Sequence, residues 1–152
     1  MLWIALELPS LPLQIVQRAG ASREPLVICE GPEQRPVVVC ANEAAVAVGV
    51  HEGQAVAAAR ALASDLRVVP RDPASEKEAL QRLAAWASQF SPMSCVDGQG
   101  IVLEVESTLR IFAGHARLSS AVRRGLISQT NKQFGGRSGT SFSRSIFPEK
   151  GG

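Results

Sequence analysis

Short apolar runs, each stopped within a few residues by proline, glycine or charge, constrain this chain more than any other feature. Leu2–Leu8 is the first, halted by Pro9 and Pro12. Pro25–Cys29 and Pro36–Cys40 follow, joined by a polar stretch that holds Gly31 and Pro32. Leu66–Val69 is closed by Pro70, and Ser94–Val96 and Ile101–Val105 flank Asp97-Gly98. Runs this short between turn residues suit buried strands, and the two adjacent pairs, Pro25–Cys29 with Pro36–Cys40 and Ser94–Val96 with Ile101–Val105, suit hairpins. Asp-Gly is a favoured hairpin turn, so it is expected to turn the last pair.

Helical signals fill the gaps. Leu11–Arg18 reads as a short helix ending near Gly20. Asn42 can cap a helix through Glu43-Ala-Ala-Val-Ala-Val, with Gly49 and then apolar Val50 at its end. Gln54–Ala63 is a second alanine-rich helix. Asp72-Pro73 is a helix start, an acidic cap before proline at the first turn. From there Ala79, Leu80, Leu83, Ala84, Trp86, Ala87 and Phe90 form a wide apolar stripe, and Pro92 ends it. A further helix runs through Arg117-Leu-Ser-Ser-Ala-Val-Arg-Arg. The stretch 127–152 is rich in Ser, Gly, Arg and Lys without a sustained period, and is expected to be disordered. The element order predicts an α+β fold.

Composition narrows the class. Of 152 residues 45% are hydrophobic and only 5% aromatic, with no tyrosine, so the core rests on Ala, Val, Leu and Ile. A net charge of +2 gives no strong basic footprint. The excess is local: from Arg123 onward Arg124, Lys132, Arg137, Arg144 and Lys150 face one acid, Glu149. Cys29, Cys40 and Cys95 lack zinc-ligand spacing and read as buried reduced thiols. No apolar run nears the roughly 18 residues of a membrane span. The start lacks a basic leader region, so a cytoplasmic protein with no membrane partner is expected.

Several words of the sequence carry a resemblance. Asn42 to Leu62, a helix ending in Gly49-Val50 followed by His51-Glu52-Gly53 and a small-residue helix, resembles the fingers signature of Y-family DNA polymerases. Leu66-Arg-Val-Val-Pro-Arg-Asp resembles the strand leading back to the palm. Phe90-Ser-Pro resembles the Tyr-Ser-Pro before the catalytic hairpin, and Leu103-Glu-Val-Glu-Ser-Thr-Leu-Arg-Ile-Phe-Ala-Gly the end of that hairpin. The opening Leu2-Trp-Ile-Ala-Leu-Glu-Leu-Pro-Ser resembles the ImuB-type branch of this UmuC/DinB-like family. The resemblance covers about residues 1–126 and implies a partial palm with an inserted fingers-like subdomain. The expected division is 1–18 palm, 19–69 fingers-like, 70–126 palm and 127–152 a disordered or aberrant tail, with a frameshift as one origin. The missing later strands would leave a sheet edge unpaired.

The resemblance implies nucleotidyl transfer by two metal ions held by carboxylates. The first-strand aspartate position falls on Ala5, and the Asp-Glu pair on Gln99 and Gly100. Alanine cannot ligate a metal, and neither glutamine nor glycine replaces a carboxylate. In a second register Val96-Asp97 takes the family's Ile-Asp place, with Gly98 beside it. Glu7, Asp97 and Glu104 are the residual acids. The two triphosphate-holding positions fall near Glu43 and Val46, where an acid repels phosphate, and the steric gate near Ser10. Arg117, Arg123 and Arg124 can touch nucleic-acid phosphate, or form a solvated face. No metal and no cofactor are expected.

The implied role is therefore a non-catalytic adaptor in DNA repair, translesion synthesis and the SOS response. The partners it implies are DNA, a sliding clamp, a RecA-like protein and a C-family polymerase, bound largely by regions this chain lacks. An active error-prone polymerase and an unrelated α/β binding module are the alternatives. His51 and His115 lack a nucleophile or ligand partner and read as surface. Glu76, Lys77 and Glu78 read as a solvated helix face, and Trp3 and Trp86 as core.

Overall fold

The computed structural model describes residues 2–17, 23–134 and 141–143. Its contacts divide the chain into two compact units, and the chain passes out of the first, through the second and back.

The unit built by Ser10–Pro73 holds a sheet in the order β3-β2-β4, where β2 is Leu26–Glu30, β3 Val37–Ala41 and β4 Arg67–Pro70. β2 and β3 form the expected hairpin, and β4 joins β2 in parallel. Side chains alternate between the two faces, as the pleat requires. Val27 and Cys29 face α2 (Glu43–Ala47) and α3 (Val56–Leu62), in a core with Ala45, Val56 and Ala59. Leu26 and Ile28 face the other way, packing with Leu13 and Val16 of α1 (Leu11–Val16). The register slips by one residue between Ile28 and Cys29, which leaves Val39 and Cys40 on the same side.

Asn42 joins this unit's layers. Its Oδ1 accepts from Ala45 N at 3.0 Å, capping α2, and from Leu26 N at 2.9 Å, while Nδ2 donates to the Glu24 carbonyl at 2.9 Å. At the other end of α2, Gly49 takes φ +94°. Gly49 N and Val50 N donate to the Val46 and Ala45 carbonyls, and Val50 is buried in the core beyond. This is the left-handed glycine closure expected from Gly49-Val50.

The other unit takes residues up to Pro9, Ala74–Gln133 and the described 141–143. Its sheet runs β5-β6-β1-β7, with β1 at Trp3–Glu7, β5 at Ser94–Asp97, β6 at Gly100–Glu104 and β7 at Ser141–Ser143. Ile4 and Leu6 lie opposite Leu103 and Ile101, all fully buried. α4 (Pro73–Ala87) buries Glu76, Ala79, Leu80, Leu83 and Ala87 along one stripe. α5 spans His115–Phe134 and buries Leu118, Val122, Leu126 and Thr130, spaced one helical turn apart. The two helices meet where the Trp86 ring covers Gly125, so closely that a Cβ there would run into the indole. Phe90 stacks edge-on to Trp86 at 5.2 Å.

Three expectations are corrected here. Residues 127–134 are helical, not disordered, because the buried spacing of Leu118, Val122 and Leu126 continues through Thr130 and Phe134. The rest of the expected tail, apart from 141–143, lies outside the described residues. β1 is not itself the edge of the sheet, since β7 pairs with it at Ala5, Leu6 and Glu7, and β7 ends the sheet on that side. Glu76 is not on a solvated face but 5% exposed, because it falls on the same stripe as Ala79, Leu80 and Leu83.

Candidate functional site

The first-strand position and the hairpin meet in one ladder. Residues opposite one another on antiparallel strands point to the same face. Ala5 lies opposite Val102, which lies opposite Cys95. One step along, Glu7 lies opposite Gly100, which lies opposite Asp97. Trp3 lies opposite Glu104. These rows form the face turned away from Ile4 and Leu6.

Glu7 and Asp97 are exposed and flank Gly100 in one row. Two strand spacings put their Cα atoms about 10 Å apart. Gly100 itself is buried, and a Cβ there would stand 2.6 Å from the Leu6 carbonyl oxygen and 3.5 Å from the Glu7 Cα. The ladder thus admits no side chain at that position without moving backbone. Gln99 is exposed in the turn, and its carbonyl accepts from Leu8 N at 3.1 Å.

The hairpin turn is Gly98-Gln99, one residue later than expected, because Asp97 still pairs with Gly100. Gly98 carries the positive φ, +56°, that a tight hairpin demands at its first central residue. In the second register, Asp97 is thus the last residue of a strand and its partner position sits on the turn.

Glu104 is buried and occupied. Its Oε1 accepts from Glu106 N at 2.7 Å and Ser107 N at 3.4 Å, and its Oε2 accepts from Ser107 Oγ at 2.7 Å. It caps the 3-10 turn Glu106–Thr108. The step from Gly100 to Glu104 along the strand is about 13 Å. Glu7, Asp97 and Glu104 therefore share a face without converging. Among the described residues no three His, Cys, Asp or Glu side chains group closely enough to hold a metal ion.

The remaining positions lie in the other unit. Ser10 precedes α1 and makes no side-chain capping bond. Glu43 and Val46 stand one turn apart on the exposed side of α2, with Val46 57% exposed. That surface offers an acid and an aliphatic group, and neither neutralises a phosphate.

Arg117, Arg123 and Arg124 are all exposed on α5. At 100° per residue Arg117 and Arg124 fall on one line, while Arg123 points about a third of a turn away. His51 is exposed, with Nδ1 3.0 Å from the Glu52 carbonyl. His115 is half-buried at the start of α5, with Ser119 Oγ 3.4 Å from its ring nitrogens. Trp3 and Trp86 are both only half-buried. Cys29 and Cys40 are buried thiols, but Cys95 is exposed, because β5 is an edge strand and its Cys95 row faces away from the buried side. The capping duty of Glu104 and the crowding at Gly100 escaped sequence reasoning; Glu-x-x-Ser at the end of a strand was the one local signal for the first.

The model of the impB/mucB/samB family matches residues 13–142. The chain belongs to the impB/mucB/samB family. The family match continues past Leu126, where the sequence resemblance was expected to end. Among curated proteins, Protein ImuB of Caulobacter vibrioides NA1000 is 36% identical over 72 residues, 47% of this chain. The same holds for Protein ImuB of strain ATCC 19089. The matched stretch spans 16% of that relative's length. Among solved structures, DinB from Sulfolobus solfataricus superimposes at a TM-score of 0.70 and 15% identity, over 99% of this chain and 43% of that one. An insertion ternary complex of Dbh DNA polymerase gives 0.72 at 16% identity, again over 99% and 43%. At such identities the likeness is one of fold, and this impB/mucB/samB chain has the α+β fold of the Y-family palm, as expected. No helix among the described residues is long and apolar enough to cross a membrane.

Proposed function

We propose that this chain is a non-catalytic member of its family, serving DNA repair in the cytoplasm as an adaptor in translesion synthesis. The observation that carries the reading is Gly100. By the sequence resemblance it stands where a metal-binding glutamate is expected, and a Cβ there would lie 2.6 Å from the Leu6 carbonyl oxygen. Ala5, two residues before Glu7 on the paired strand, offers no ligand either.

A two-metal centre needs acidic oxygens gathered around ions roughly 4 Å apart. Glu7 and Asp97 stand about 10 Å apart by strand spacing, and Glu104 is spent on capping. The residues present do not fit a metal pair. Exposed Glu43 and Val46 add no cation for a triphosphate. The homology to ImuB and the shared fold support the link to DNA-damage tolerance. DNA, a sliding clamp, a RecA-like protein and a C-family polymerase are the partners we propose.

Primer extension on a primed template with Mg²⁺ or Mn²⁺ tests this. No incorporation above a protein-free control is expected. Incorporation that disappears in Glu7→Gln or Asp97→Asn would overturn the reading.

A further inference from the structure

The turn after β6 and the first half of α5 form a further surface. Phe112, Ala116, Arg117, Ser120, Ala121 and Arg124 line an open groove of about 540 Å³. Its floor is apolar and made of small side chains, with one aromatic wall. Phe112 is held from behind by Phe90, ring to ring at 5.8 Å, and Phe90 by Trp86 at 5.2 Å. The groove is therefore preformed rather than a gap between loose side chains.

The turn that supplies the wall is strained and held by backbone hydrogen bonds. Ala113 holds φ +55° without being glycine, and Gly114 follows at +108°. Ile111 N donates to the Thr108 carbonyl at 3.0 Å and Gly114 N to the Leu109 carbonyl at 2.9 Å. This conformation leaves Ile111 77% exposed, the most exposed large apolar residue described. A left-handed alanine and a projecting isoleucine each cost free energy, and such outliers gather at contact sites.

The charge says what fits. Arg117 and Arg124 stand two helical turns apart on one line, about 10 Å along the axis. Neither has a carboxylate partner among the described residues. A phosphate backbone would have to lie on an apolar floor, and Arg123, turned aside, does not extend the cationic line. An amphipathic helix satisfies both features: apolar residues on the floor, carboxylates two turns apart on the guanidinium forks. We propose that this groove is a docking site for an acidic amphipathic helix of a partner protein.

The test uses the full chain and a labelled synthetic helix of about five turns with leucines on one face and glutamates beside them. Its control replaces the glutamates by lysines, and a short labelled DNA duplex is run alongside. Fluorescence anisotropy should show saturable binding of the acidic peptide alone at moderate salt. Arg117→Glu with Arg124→Glu should weaken it at least tenfold, and Ser120→Trp, which fills the groove, should abolish it, with circular dichroism unchanged. Three results would overturn the proposal: no saturable binding up to millimolar peptide, equal binding by the variants, or duplex binding that depends on both arginines while the peptide stays free.

Discussion

At the scale of single residues, the ladder register decides what each position can be. Gly100→Ala pushes a methyl against the Leu6 carbonyl oxygen and is expected to cost about 1–3 kcal/mol in urea denaturation. Gly98→Asn is the comparison. It also sits in the hairpin, but a Cβ there meets nothing within 4 Å and asparagine tolerates the left-handed turn, so about 0.5 kcal/mol or less is expected. Equal losses would mean the crowding is not real. Glu104→Ala removes an acceptor from Glu106 N and Ser107 N and should cost about 1.5–3 kcal/mol. The absence of carboxylates at Ala5, Gln99 and Gly100 could be seen in the sequence. That Gly100 has no room for one, and that Glu104 is engaged, depends on which backbone atoms face each other across β1 and β6. No local pattern encodes that.

At the scale of elements, the strands and short helices were legible because proline, glycine and caps mark their ends. Asn42 was readable as a cap from its place before an alanine-rich run. Its bond to Leu26 N, sixteen residues away, was not. Asn42→Ala should therefore lose more than an ordinary cap, about 2–3 kcal/mol, since it also strands a buried amide. Chemical denaturation followed by far-ultraviolet circular dichroism measures it. The second half of α5 was misread because polar Thr130 occupies a core position and Ser, Gln, Asn and Lys surround it. Thr130 is accommodated by donating to the Leu126 carbonyl at 2.9 Å. Ser128→Pro discriminates between the two readings. In a helix it should cost about 3 kcal/mol or more, whereas in a disordered segment the melting curve would not move.

At the scale of the molecule, one chain builds two units, and the positions singled out by the sequence resemblance are divided between them. Ala5, Glu7, Asp97, Gln99 and Gly100 sit on one sheet; Ser10, Glu43 and Val46 belong to the other unit. The family match over residues 13–142 runs across both units. The proposed non-catalytic role requires that the hairpin and first strand do not gather divalent ions. Electron paramagnetic resonance of Mn²⁺, titrated into the chain with primed template and a non-hydrolysable nucleotide, addresses this directly. The account predicts that the Mn²⁺ bound matches a control containing only DNA and nucleotide. Extra bound Mn²⁺ that is lost in Glu7→Gln or Asp97→Asn would contradict it.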